Sequence, residues 1–146
     1  QPCHPGCSIV IPFLACMALV ASIYHLPPRV LPSIQAIEGG RSGTISDDAD
    51  GSQDLGVMQI NTRWIEPLAT YTRKPDAWVR TRLINEPCYN VAAAGAILRT
   101  YLNEDRGDLM QAIGDYHSHT RQLNLTYRSR VMQAAEELFV RDHHHG

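Results

Sequence analysis

The chain has no basic excess. Its formal net charge is −2 over 146 residues, so nothing offers the positive stripe that nucleic-acid binders carry. A neutral or weakly charged partner, such as a sugar polymer, suits this balance better. The chain also has no internal repeat and no low-complexity block. Its composition, 44% hydrophobic and 19% charged, is that of a soluble globular domain. At this length one domain with a real core is expected.

Other absences concern the N-terminal region. The run Ser8 to Tyr24 carries no charge, no Lys or Arg precedes it, and Pro12 interrupts it. It is short for a spanning helix and lacks a basic leader. A signal core, an anchor and a buried first helix all remain open. The chain does not begin with Met, which predicts a start further upstream. Cys3, His4 and Cys7 form either a metal fragment or part of a flexible leader with Pro2, Pro5 and Gly6. No second ligand pair with zinc spacing follows, so no metal site is expected. His143, His144 and His145 read as a solvated tail. The expected organisation is a leader over 1–12, a domain over 13–140 and a polar tail over 141–146.

What is present is mostly helical. An apolar segment from Phe13 to Tyr24 ends at Pro27-Pro28. A second helix begins near Pro28 or Arg29, holds Pro32 in its first turn, and ends at Gly39-Gly40. Within it Leu31, Ile34 and Glu38 share one face. Glu38 therefore either extends an apolar stripe, where desolvation raises its pKa, or swings into water at the helix end. Thr44-Ile45 and Leu55 to Ile60 read as two short strands of a hairpin. In the second strand Val57 and Gln59 face one way and Met58 and Ile60 the other. Asp47, Asp48, Asp50 and Gly51 make the turn. Aligned as a calcium loop, that turn puts Ser46 at position one and Val57 at position twelve, which argues against calcium.

Further helices are expected over Trp64–Tyr71, from Pro75-Asp76 through Leu83, over Cys88–Leu102, from Gly107-Asp108 to Tyr116, and over Tyr127–Val140. The small side chains of Ala92 to Ala96 allow close helix packing. The stretch "HSHTRQLNLT" reads as a polar loop.

Four motifs appear in order: "AIEGG", "DGSQDLGVMQIN", "EPCYNVAAAGAIL" and "AIGDYHS". Together they resemble the lytic transglycosylase SLT domain, a lysozyme-like fold that cuts bacterial peptidoglycan. The resemblance covers roughly Cys16 to Val140. It is most specific in the Gly-x-Met-Gln-Ile-Asn core at the proper distance from a helix-end Glu, and is nearest to small transglycosylases of type IV secretion, conjugation and pilus systems or type III secretion.

The resemblance implies a mostly α, α+β lysozyme-like fold whose hairpin forms a sugar-binding groove. It implies a Cys16–Cys88 disulfide, hence an oxidising compartment such as the periplasm; the alternative is two buried free thiols. It makes Cys16 to His25 the first helix rather than a removable signal. Glu38 becomes the single catalytic carboxyl, which protonates the glycosidic oxygen and then accepts the C6 hydroxyl proton. No metal or organic cofactor is needed. Gln59 is expected to contact sugar, Met58 to pack beneath the sugar or hairpin, and Ser52 and Asn61 to orient the groove wall. Tyr116 is expected to hydrogen-bond Glu38 or the substrate.

Two positions depart from the family pattern. Gly39 stands where a Ser often follows the catalytic Glu. "Tyr-His-Ser-His" replaces "Tyr-Asn-Ala-Gly", so His117 either contacts sugar or satisfies a helix end. The implied partners are glycan strands and secretion, conjugation or pilus proteins, with a monomeric chain. A hydrolytic muramidase would need a second carboxylate or a positioned water. Asp47, Asp48, Asp50 and Asp54 are near in sequence, but their polar turn reads first as a solvated loop. A non-catalytic peptidoglycan-binding module is the third alternative.

Overall fold

The structure is a computed structural model that describes residues 11–140. The readings of Cys3, His4, Cys7 and His143–His145 fall outside the described residues.

Among the described residues are seven α-helices and one small sheet. Helix α1 (Leu14–Tyr24) buries Met17, Val20 and Ala21 against α5 (Pro87–Glu104). They meet closely at Gly95, where a Cβ would lie 2.3 Å from Val20 Cγ1. The alanine-rich segment thus packs as its small side chains predict. A disulfide joins Cys16 of α1 to Cys88 of α5, with Cα atoms 5.5 Å apart. Helix α2 (Val30–Glu38) carries Pro32 in its first turn and buries Leu31 and Ile34 completely.

Strands β1 (Ile45–Asp47), β2 (Gln53–Leu55) and β3 (Ile60–Asn61) form one antiparallel sheet in sequence order. Ile45 pairs with Leu55, and Leu55 with Ile60. The expected single strand from Leu55 to Ile60 is therefore corrected. Gly56 to Gln59 form a tight turn between two strands, with Gln59 in the left-handed region at φ 53. Val57 and Met58 are both fully buried, which a strand with alternating faces would not produce.

After a 3₁₀ turn (Thr62–Trp64) come α3 (Ile65–Thr72), α4 (Asp76–Asn85), α5, α6 (Leu109–His117) and α7 (Arg121–Ala135), which runs into a π-helical end (Glu136–Val140). Proline opens α5, and the Asp108 carboxylate caps α6 by accepting from Gln111 N at 3.1 Å. The final helix starts six residues before the expected Tyr127. Its first turns bury Asn124, which donates to Asp115 Oδ1 at 2.9 Å and Gln111 O at 3.2 Å. A buried amide thus replaces the apolar residue that periodicity would detect.

The result is a mostly helical α+β fold of the lysozyme-like type. Helix α5 is its centre, packed against α1, α2, α4, α6 and β3. Among the described residues no helix is long and apolar enough to cross a membrane.

Candidate active site

A cleft of about 250 Å³ opens between the sheet and the helices, and Glu38 lines it. Glu38 is the last residue of α2. Gly39 caps that helix at φ 65, its N–H donating to Gln35 O at 2.8 Å. Gly40 then passes so close to the β2–β3 turn that a Cβ would stand 2.1 Å from Gly56 O. Only glycine permits this approach, and it brings the helix end against the turn.

The turn is clamped from two helices. Asn90 of α5 is fully buried. Its Nδ2 donates to Leu55 O and Leu83 O, both at 2.8 Å, and its Oδ1 accepts from Met58 N at 2.7 Å. Tyr116 of α6 donates to Met58 O at 2.9 Å. Of the two partners expected for Tyr116, Glu38 or the substrate, Glu38 is not the one it meets here: the hydroxyl goes to the turn, and Tyr116 lines the cleft. Met58 is held beneath the turn with no exposed surface. Gln59, next along, lines the cleft, and its Nε2 folds back to Gly56 O at 2.9 Å.

The partner of Glu38 is Tyr127. Its hydroxyl donates to Glu38 Oε1 at 2.8 Å. The Tyr127 ring is buried and stacks on His117, with centroids 4.8 Å apart and planes 11° apart. His117 itself is exposed on the cleft. Burial and the nearby Arg130 charge hold its pKa below the usual value. Burial raises the Glu38 pKa from 4.5 to about 7. The Tyr127 bond and Arg130 oppose this rise, while Asp54 and Asp48 add to it. The Tyr127 phenol is driven up in turn, first by burial and then by Glu38.

The Asp-rich turn belongs to the cleft and is not merely a solvated loop. Asp48, Asp50 and Asp54 line it. Asn61 Nδ2 reaches Asp48 Oδ2 at 3.1 Å, Asp54 Oδ1 at 3.1 Å and Ser52 Oγ at 2.9 Å. Ser52 donates to Asp50 Oδ1 at 2.5 Å. Asn61 lines the cleft and Ser52 braces the wall behind it. Burial and the adjoining Asp48 raise the Asp54 pKa to about 6, against the Asn61 bond. Asp47 is exposed and accepts from Gln53 Nε2 at 2.9 Å. Among the described residues no group of three or more His, Cys, Asp or Glu side chains is disposed to hold a metal ion.

Structure thus brings Glu38, Gln59, Asn61, Tyr116 and His117 to one cleft, with Ser52 and Met58 behind it. It adds Tyr127 and the indole of Trp64, neither of which the motifs single out, and it places Asp54, weighed above as a second carboxylate, on the cleft wall.

A family model described as the transglycosylase SLT domain matches residues 16–139. The invasion protein IagB of Salmonella typhimurium strain SL1344, and its counterparts in strain LT2 and in Salmonella typhi, are each 27% identical over 116 residues. That stretch is 79% of this chain and 69% of theirs.

Proposed function

The chain belongs to the transglycosylase SLT domain family, and on that premise we propose that it is a peptidoglycan lytic transglycosylase with Glu38 as its catalytic carboxyl. The observation that carries this reading is the place of Glu38, at the end of α2 in the cleft that Gln59 also lines, with Tyr127 donating to one carboxyl oxygen; burial there raises its pKa to about 7. An ordinary Glu is ionised at neutral pH and has no proton to give. Burial keeps a large fraction of Glu38 protonated, which is what a general acid working near pH 7 requires.

Glu38 donates its proton to the β-1,4 oxygen between N-acetylmuramic acid and N-acetylglucosamine as the C1–O bond breaks. The 2-acetamido carbonyl oxygen attacks C1 and holds the positive charge as an oxazolinium. The Glu38 carboxylate then takes the C6 hydroxyl proton. O6 displaces the acetamido oxygen from C1 and closes the 1,6-anhydro ring. Tyr127 fixes one carboxyl oxygen throughout and leaves the other for the travelling proton. Tyr116 and Asn90 act through the turn, holding Gln59 against the sugar. No step needs a metal or an organic cofactor.

An SLT domain acting on peptidoglycan works outside the cytoplasm, and the disulfide fits an oxidising periplasm. The likeness to invasion proteins supports local wall opening for an envelope-spanning machine. Asp54, in the same cleft as Glu38, favours one second reading: a muramidase with Asp54 activating water.

Mass analysis of products from purified peptidoglycan tests both, with Glu38→Gln as control. Ends in 1,6-anhydro-N-acetylmuramic acid that vanish in the control are expected. Reducing ends carrying an added water would move the assignment to hydrolysis. Absence of any Glu38-dependent product from folded, oxidised protein would leave a peptidoglycan-binding module.

A further inference from the structure

The last two residues of α6 serve the cleft in different ways. Tyr116 reaches the Gln59 turn through Met58 O at 2.9 Å. His117, the next residue and the helix end, lies instead against Tyr127 of α7, with ring planes 11° apart and centroids 4.8 Å apart. A close approach of the two helices sets up this meeting. A Cβ on Gly114 would stand 2.0 Å from Asn124 Oδ1. About one turn further along each helix, His117 meets Tyr127. The Ser118 N–H closes that last turn of α6 on Gly114 O at 3.0 Å.

The stack bears on the acid through the direction of one hydrogen. Tyr127 donates to Glu38 Oε1 at 2.8 Å. A phenolic O–H lies in the plane of its ring, because the oxygen conjugates with the ring. The ring plane therefore sets where the hydrogen points. The torsion that turns this plane, χ2, sits in a broad well. A flat imidazole nearly parallel to the phenol narrows that well. An Asn here, as in the family pattern, would offer no ring to stack. Burial and the nearby Arg130 charge hold the imidazole pKa below its usual value, so the ring stacks as a neutral plane at neutral pH and adds no charge beside Glu38.

We propose that His117 is a positioning residue for the acid: its imidazole fixes the plane of Tyr127 and thereby aims the hydroxyl at Glu38. The consequence for rate rests on the lytic transglycosylase reading above. The consequence for the Glu38 carboxyl does not, since the stack acts on it whether or not sugar is cut.

The experiment titrates the Glu38 side-chain carboxyl by carbon-13 NMR in the full chain and measures kcat and KM on soluble glycan oligomers. The groups that face Glu38 are Tyr127 and Arg130 of α7, Tyr116 of α6, Asp54 of β2 and Asp48 in the turn before it. His117→Asn leaves all of them in place, and His117 is exposed, so the core survives its loss. The Glu38 pKa is expected to rise by about half a unit, a change of about 3-fold in the ionisation constant, as the bond that stabilises the anion loosens. The kcat should fall about 3-fold with KM unchanged. His117→Phe restores a flat ring and should return the titration to its original place. In a Tyr127→Phe background His117→Asn should move it no further, because the hydroxyl route is already gone. An unmoved titration in His117→Asn, or an equal shift in the Tyr127→Phe background, would overturn the proposal. So would a rise in KM alone, which marks a direct sugar contact. Shifts as expected without any Glu38-dependent product would keep the positioning role and remove the lytic transglycosylase reading. Products with an unmoved titration would remove the His117 assignment alone.

Discussion

The Glu38 carboxyl ties stability to acidity. Its pKa is about 7 in the folded chain against an ordinary 4.5. Between those values the folded state holds more protons than the unfolded state, so stability falls as pH rises through that window. Below pH 4.5 the carboxyl costs nothing, and above pH 7 the penalty is complete, up to about 3 kcal/mol. Glu38→Gln keeps an acceptor for Tyr127 and removes the charge. It should raise Tm at pH 8 and leave it unchanged at pH 4, as thermal melts at both values would show. Tyr127→Phe keeps the His117 stack but deletes the bond that stabilises the anion. The alkaline limb of the kcat/KM profile should move upward by about one pH unit or less; an unmoved limb would mean that Tyr127 does not tune the acid. The motifs made Glu38 legible because its apolar stripe and its neighbours in sequence are local. Tyr127 was not legible, because it meets Glu38 across a sequence separation of 89 residues. Tyr116 does occupy the cleft, but its hydroxyl goes to a backbone carbonyl that no side-chain pattern announces.

At the scale of elements, the β2–β3 turn depends on one amide. Asn90 satisfies Leu55 O, Leu83 O and Met58 N at once. Asn90→Ala would leave three buried backbone groups without partners, at about 3–5 kcal/mol. Urea unfolding should show that loss, and substrate binding through Gln59 should weaken more than the fall in folded fraction explains. Helix boundaries in the sequence were clear where Pro, Gly or Asp mark them, as at Pro87, Gly39 and Asp108. Two elements were hidden for opposite reasons. The turn at Gly56–Gln59 carries strand-like residues but a left-handed Gln59, a conformation that tertiary clamps impose. The start of α7 carries loop-like polar residues, yet buries Asn124 as a paired amide.

For the whole molecule, the order of the four motifs carried the lysozyme-like architecture, because each falls on a separate element that converges on the cleft. The Asp-rich turn keeps Asp47 and Asp50 exposed, as a solvated loop would, yet the sheet sets it at the rim of the cleft, which polar composition alone does not show. The Cys16–Cys88 bridge spans a sequence separation of 72 and ties the first helix to the central one. In the chain-entropy picture it contributes about 4 kcal/mol. Denaturant midpoints measured with and without reductant should differ accordingly, and a reduced chain that unfolds at the same midpoint would show that packing of α1 on α5 suffices alone.

The place of Glu38 as the last residue of α2 has a further consequence. The peptide dipoles of a helix align and leave partial negative charge at its carboxyl end, which disfavours an anion there. The nine residues of α2 therefore help keep the acid neutral before any sugar arrives. Acid strength then depends on the last helical turn being intact. A residue at position 39 that resists the left-handed cap would fray that turn, weaken the aligned field and lower the pKa of a side chain it never touches.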